Sequence, residues 1–370
     1  MKKEKKSLSQ RFKESMFNDG EFYVKLCFTI LFVVLFVVSF YSFQGYQYFY
    51  SNVYADELKE NNFQIHVVNV KQGDCFLIKL PNNQCMIIDC GKEQYKEAVK
   101  EYISQFLYEE NLKQIDYLVL THPDSDHVGG AESVLKTFKV ASLLRPPVYS
   151  LSEREYAISQ EYPIDEGVEY DNAISVAYAK DIQTEIFYKG LKLSFGGCEV
   201  EFLSPQLKNT YTSNNLSAVM MFTYQTKKFL FMGDAEEQVE QELLLNYGEN
   251  LKADVLKVGH HGSKTSTSLN FLNAVKPSYA IISSGNSSEY FPHLEVVERL
   301  EKMNTKILRT SVLNNFVIGL QKEQIVYVKA QRPANYSAII FSFLLIFNLI
   351  VWEKPILKNN TAYSTKIVPK

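Results

Sequence analysis

Between Leu26 and Ala55 the chain carries no charged residue, and Leu26 to Phe43 (LCFTILFVVLFVVSFYSF) is almost wholly apolar. As a helix those residues rise about 27 Å, close to the hydrocarbon thickness of a bilayer. Tyr41, Tyr46, Tyr48 and Tyr50 continue the run as an interfacial aromatic belt. A cleaved signal peptide would have a shorter apolar region and a small-x-small cleavage site, and none is clear here. The expectation is an uncleaved anchor over residues 26–50. A second apolar run, Ala338 to Trp352, has 15 residues, with Tyr336 and Trp352 at its two ends. A second span over 336–352 is expected, the alternative being a buried terminal helix.

Charge is segregated around these runs. The 370 residues sum to a formal charge of −3, yet residues 1–55 hold seven Lys/Arg against four Asp/Glu. Residues 331–370 hold five against one, and residues 56–330 hold 27 against 37, a balance of −10. Basic flanks mark the cytoplasmic side of a membrane. The tails 1–25 and 353–370 are therefore expected inside and the acidic domain 56–330 outside the cytoplasm. With 46% hydrophobic and 22% charged residues, the composition excludes a disordered, collagen-like or wholly membrane-embedded chain. Five cysteines do not make a disulfide scaffold.

Within 56–330, β-rich residues 63–70 precede a predicted hairpin, Cys75–Leu80 and Cys85–Asp89, joined by Pro81-Asn82-Asn83-Gln84. A pairing of Leu80 with Cys85 would place Cys75 opposite Cys90, close enough for a strained disulfide; two buried free thiols are the other reading. Helical spacing marks Tyr95–Tyr108, the strand Ile115–Leu120 follows, and a helix runs from about Gly129 to Lys136. After a weakly patterned stretch to about Glu185, with one helix near Asp171–Ala179, come four predicted strands: Lys192–Phe195, Glu199–Leu203, Ala218–Tyr224 and Lys228–Met232. Helices at Ala235–Leu245, Ser268–Asn273 and Leu294–Met303 alternate with strands Val255–Val258 and Tyr279–Ser283. Hairpins mixed with strand–helix units indicate an α/β domain with mixed sheets and exterior helices.

Chemistry concentrates in Thr121-His122-Pro123-Asp124-Ser125-Asp126-His127-Val128-Gly129-Gly130. This loop leaves an apolar strand and enters a helix, so it can turn several side chains towards one point. Two imidazoles and two carboxylates within six residues form an N/O ligand set suited to Zn²⁺, Mn²⁺ or similar cations. Without a thiolate the set leans away from a closed structural zinc site. Two further predicted strand ends carry candidate ligands, Gly233-Asp234 and Gly259-His260-His261.

With Gln72-Gly73-Asp74, Ile88-Asp89-Cys90-Gly91, Asn214-Asn215-Leu216-Ser217 and Tyr290-Phe291-Pro292-His293, this ordered set resembles the metallo-β-lactamase fold. More narrowly it resembles the C-terminal hydrolase domain of the ComEC/Rec2 competence proteins, from about Phe63 to Leu320. The resemblance implies a four-layer αβ/βα sandwich with two divalent metal ions along one sheet edge. It implies His122 and Asp124 on one metal, Asp126 and His127 on the other, Asp234 bridging, and His260 completing the second site, with His261 competing for that role. A bridging hydroxide would be the nucleophile, with Asp126 orienting the water. The commoner family pattern has His at the positions of Asp124 and near Asn215; more oxygen ligands admit Mn²⁺ or Mg²⁺ beside Zn²⁺. Relatives more often carry Gly at the position of Lys71, with little effect expected on the metals.

Asp74 and Asp89 are read as fixing loops beneath the metals, and His66 as a core or pairing residue. Asn215, Ser263 and Lys264 are candidate substrate contacts, and His261 and His293 candidate catalytic groups beside Asp126. The leading expectation is a membrane-anchored, metal-dependent phosphodiesterase or nuclease. The acidic balance opposes nucleic-acid binding, which usually relies on basic clusters. A local patch of Lys257, Lys264 and Arg145 would offset it. The alternatives are hydrolysis of small cell-surface phosphoesters, such as choline-phosphate or nucleotide groups, and a tethered binding or sensor module without turnover. No protein partner is indicated. Because the resemblance covers a hydrolase domain alone, a role in DNA uptake is not among its implications.

Overall fold

In the computed structural model, which describes residues 23–34, 58, 62–159, 163–165, 167–206, 212–285 and 291–329, the apolar strands stack into two facing sheets. In chain order the first strands are β1 (Gln64–Val67), β2 (Phe76–Lys79), β3 (Cys85–Ile88), β4 (Ile115–Val119), β5 (Val140–Arg145), β6 (Gln183–Ile186), β7 (Lys192–Phe195) and β8 (Cys198–Ser204). The rest are β9 (Val219–Tyr224), β10 (Lys227–Phe231), β11 (Val255–Lys257), β12 (Tyr279–Ile282), β13 (Lys306–Arg309), β14 (Phe316–Gln321) and β15 (Gln324–Lys329). One sheet runs β15-β14-β1-β2-β3-β4-β5-β6 and the other β13-β12-β11-β10-β9-β8-β7.

Each sheet is built the same way. Antiparallel strands lead into parallel strands joined by helices, β3 to β6 in one sheet and β10 to β13 in the other, and the final hairpin β14–β15 pairs back onto β1. Period-2 burial explains the layers. Phe76 and Ile78 of β2 and Met86 and Ile88 of β3 face Phe202, Phe222, Phe229 and Phe231 between the sheets. Their alternates, Leu77 and Ile87, meet the helices α1 (Lys96–Glu109), α2 (Ala131–Thr137) and α3 (Val168–Ala179) on the outer face. The second sheet is covered likewise by α4 (Glu237–Tyr247), α5 (Leu269–Val275) and α6 (Leu294–Lys302). Three apolar layers between four structural ones account for strands that are apolar on both faces.

Two expectations need revision, and the cysteine pair takes the second of its two readings. The hairpin pairs Lys79 with Cys85, one residue off the expected register, because Asn83 adopts a left-handed φ of 60° in the connecting loop. That shift takes Cys75 out of opposition to Cys90, and both are buried free thiols. Strands β5 and β6 occupy stretches the sequence pattern left unassigned.

Residues 23–34 form a helix in a unit distinct from Asp56–Gln331, and its Leu26, Ile30, Leu31, Val33 and Val34 are exposed. Among the described residues no helix is long and apolar enough to cross a membrane. Residues 35–50 and 336–352, on which the expected spans rest, lie outside the described residues.

Candidate metal centre

Strand direction gathers the candidate ligands. Chain leaving β4 carries His122 to His127, chain leaving β10 carries Asp234, and chain leaving β11 carries His260 and His261. Backbone bonds weave the loops of the first sheet together: the Asp74 N–H donates to the Asp126 carbonyl at 3.3 Å, the Cys90 N–H to His127 at 2.7 Å, and the Gly130 N–H to Gly91 at 3.0 Å. Two glycines make this weave possible. A Cβ on Gly73, whose φ is 128°, would lie 2.3 Å from the Asp126 carbonyl oxygen. A Cβ on Gly130 would lie 2.4 Å from that of Cys90.

The centre is a small group of atoms. His127 Nε2 lies 3.3 Å from Asp234 Oδ1 and 3.3 Å from His261 Nε2. His261 Nε2 lies 3.3 Å from Asp234 Oδ2 and 3.5 Å from Asp126 Oδ2. His122 Nε2 stands 4.0 Å from Asp234 Oδ2 and 3.8 Å from Asp124 Oδ2. Asp74, His127, Asp234 and His261, all buried, each bring one ligand atom within 4.8 Å of the others. His122 Nε2 and Asp234 Oδ1 are buried without a hydrogen-bond partner, as expected of atoms that share a cation.

The backs of two imidazoles are fixed. Asp89, fully buried, accepts from His127 Nδ1 at 2.7 Å and from the Thr121 hydroxyl at 2.7 Å. That hydroxyl in turn lies 3.0 Å from His122 Nδ1. Both rings are thereby held with Nε2 aimed into the cluster.

The cluster demands positive charge. Burial alone would depress the pKa of His127, but the charges of Asp234 and Asp89 outweigh it and hold the imidazole well above its usual value. Burial likewise opposes a proton on His261, yet Asp234, Asp126 and Asp74 push it up to about 9. Asp126 and Asp234 are held below the carboxylate range despite burial, by these same two imidazoles. His122 goes the other way, depressed by burial and by the charge of His127. Imidazolium protons thus stand where divalent cations would fit, and the donor set suits such ions.

The remaining candidates are spread more widely. His260 and His261 both take left-handed φ, 47° and 53°, and their imidazoles reach the cluster to different depths. His261 is fully buried, whereas His260 keeps 22% of its side chain exposed, with Nε2 4.0 Å from Asp234 Oδ2 and Nδ1 3.3 Å from Glu236. The geometry therefore favours His261 over His260 as the cluster imidazole. Asp124 is 41% exposed at the rim and accepts from the Ser213 hydroxyl.

Asn215 is buried with its amide taken up, accepting from the Glu236 backbone N–H at 3.0 Å and donating to Gln238. Ser263 is buried and bonded to Thr265 within its loop, leaving Lys264 as the exposed member of the pair. His293 is half-buried and its Nδ1 accepts from the Lys264 backbone N–H at 3.2 Å.

The expected basic patch is not formed. Arg145 is buried against Glu153, and Lys257 is buried against Asp74, because each needs a counterion inside the core. Sequence reasoning placed Lys257 wrongly, in a basic patch rather than buried against Asp74. The available signal was a lysine between apolar residues of a short strand, Val255-Leu256-Lys257-Val258. Lys71 adopts a φ of 64°, which explains the glycine preference noted at its position.

Residues 68–285 match the profile of the metallo-beta-lactamase superfamily. The chain is 33% identical over 261 residues to ComE operon protein 3 of Bacillus subtilis (strain 168), a match covering 67% of this chain and 32% of that protein. It is 30% identical over 288 residues to Recombination protein 2 of Haemophilus influenzae, covering 77% of this chain and 32% of the relative. The chain thus spans about a third of the length of these curated relatives. Among solved structures, the metallo-beta-lactamase fold protein YhfI from Bacillus subtilis aligns at a TM-score of 0.40 and 12% identity, over 69% of this chain and 98% of that one.

Proposed function

The chain belongs to the metallo-beta-lactamase superfamily of metal-dependent hydrolases, and from that membership we propose that it is a membrane-anchored phosphodiesterase or nuclease. The observation that carries this reading is the convergence of His122, His127 and His261 with Asp126 and Asp234 at the ends of β4, β10 and β11. These residues, with Asp124 at the rim, would hold two divalent cations, Zn²⁺ or Mn²⁺. When bound, such cations supply Lewis acidity at a phosphoryl oxygen and lower the pKa of a coordinated water.

The chain's own groups do the rest. Asp89 holds His127 by its Nδ1, so the ring presents Nε2 alone. Asp126, beside His261 and reached by the Gln72 amide at 3.4 Å, orients the attacking water. Lys264 on the exposed rim attracts a phosphate oxygen. Because His293 Nδ1 accepts from the Lys264 backbone N–H, the ring carries its N–H on Nε2 and can donate a hydrogen bond from it to a leaving-group oxygen.

A second reading, hydrolysis of small cell-surface phosphoesters, is favoured by one observation. Lys257 and Arg145 are buried in ion pairs and so are withdrawn from the basic patch that would offset the acidic balance of the domain. The purified protein loaded with Mn²⁺ or Zn²⁺ is tested on single-stranded DNA and on a bis-aryl phosphodiester. Cleavage of DNA is expected, and Asp126→Ala should lower it by a factor of about 10² or more. Cleavage of the small ester alone would favour the second reading. Turnover of neither, with metal bound, would sink both in favour of a binding module.

A further inference from the structure

Asp74 lies among the ligand atoms, yet its surroundings set it apart from them. It approaches both imidazoles from the Nδ1 side, 4.0 Å from His127 Nδ1 and 3.7 Å from His261 Nδ1. The atoms that face Asp234 and Asp126 are the Nε2 atoms, on the other side of each ring. Asp74 Oδ2 is taken by the ammonium of Lys257 at 2.6 Å. That ammonium also donates to the Val258 carbonyl at 3.0 Å and the Gly233 carbonyl at 3.4 Å, so it is tied to the ends of both strands that carry Asp234 and His261. Lys257, Asp74 and His261 are 1%, 1% and 0% exposed.

Two buried atoms in this group have no hydrogen-bond partner, Asp74 Oδ1 and His261 Nδ1, and they face each other. The neighbouring pair shows the completed arrangement: Asp89 accepts from His127 Nδ1 at 2.7 Å. A ligating imidazole almost always donates its far N–H to such an acceptor.

We propose that Lys257 and Asp74 are positioning residues for His261: the Lys257 ammonium fixes the Asp74 carboxylate behind the ring, and Asp74 accepts the Nδ1 proton when Nε2 takes a metal. Asp74 is therefore no ligand, and Lys257 belongs to the metal centre although it touches no cation. The inference rests on the metal-centre reading above and goes beyond it in naming what orients His261.

The test is metal binding by the full-length protein. Zn²⁺ affinity is measured by competition with a chromophoric chelator, and ligand geometry by the visible spectrum of the Co²⁺ form. In Asp74→Asn/Lys257→Met, which removes both buried charges together, the Zn²⁺ stoichiometry should stay as in the wild type. Affinity should fall roughly 10–100-fold and the Co²⁺ bands should shift. Lys257→Arg should bind within a few-fold of wild type and keep its spectrum. Should that double variant fail to fold, Asp74→Leu/Lys257→Met gives the same reading, since it keeps the side-chain volume and removes the acceptor and the ammonium together. Unchanged affinity and spectrum would overturn the proposal, and loss of a whole metal equivalent would overturn it in favour of Asp74 as a ligand. A wild-type protein that binds no metal would instead sink the functional reading beneath it.

Discussion

Single residues at this centre do work that their neighbours in sequence do not reveal. His122-x-Asp-x-Asp-His127 is readable as a ligand cluster because polar residues of the right chemistry crowd a strand end. Asp89 was legible as a support, and it holds both Thr121 and His127. Lys257 was not, since a lysine in a strand reads as a solvent-facing group until the fold puts a carboxylate against it.

Nor could the choice between His260 and His261 be made from sequence, because adjacent residues differ only in where the backbone turns them. His66 was legible as a core residue. Its Nδ1 meets the Tyr102 hydroxyl and its Nε2 the Gln64 side chain, both at 3.0 Å, so the neutral ring is fully bonded. Burial and, after it, the charge of Lys79 lower its pKa from 6.5 to about 3. Above pH 6.5 the ring is neutral folded or unfolded; below it only the unfolded chain takes up the proton. Stability should therefore drop by about 1.4 kcal/mol for each pH unit below 6.5 and level off near 3. Urea unfolding of wild type and His66→Gln at pH 7.5 and 5 checks this. The wild type should lose about 2 kcal/mol more than the variant, and equal losses would refute it.

Elements were more legible than the registers between them. Long periodic helices such as α1 and α6, and strands bounded by turn residues such as β9 and β10, follow from hydrophobic spacing. β6 does not, because it is an edge strand with alternately exposed positions and little apolar residue to mark it. The hairpin register slipped by one for a local reason, Asn83 entering the left-handed region.

The junction of α2 with the centre carries a prediction of its own. Gly130 leads into α2 where a side chain would strike the Cys90 carbonyl at 2.4 Å. Gly130→Ala must push α2 off the loop of Asp89 and Cys90, and should cost about 1–3 kcal/mol. Thermal unfolding reads the cost, and a melting temperature equal to wild type would show that the contact gives way freely.

For the whole molecule, charge and apolar runs point one way. Residues 56–330 carry 27 basic against 37 acidic groups, while both flanking segments are basic. Under the anchored topology proposed above, protease added to intact cells should degrade the hydrolase domain and leave the flanks. Survival of 56–330 until the cells are lysed would place it on the other side. The fold class was legible because ordered motifs at strand ends constrain the sandwich that brings them together. The anchoring was read from apolar length and flanking charge alone.

The ligands of the centre come from both sheets: His122, Asp126 and His127 follow β4, and Asp234 and His261 follow β10 and β11. An ion seated among them would be a rivet through one rim of the sandwich. The halves could not part at that rim without releasing it, so whatever strips the ion from the protein also loosens the seam between its two halves.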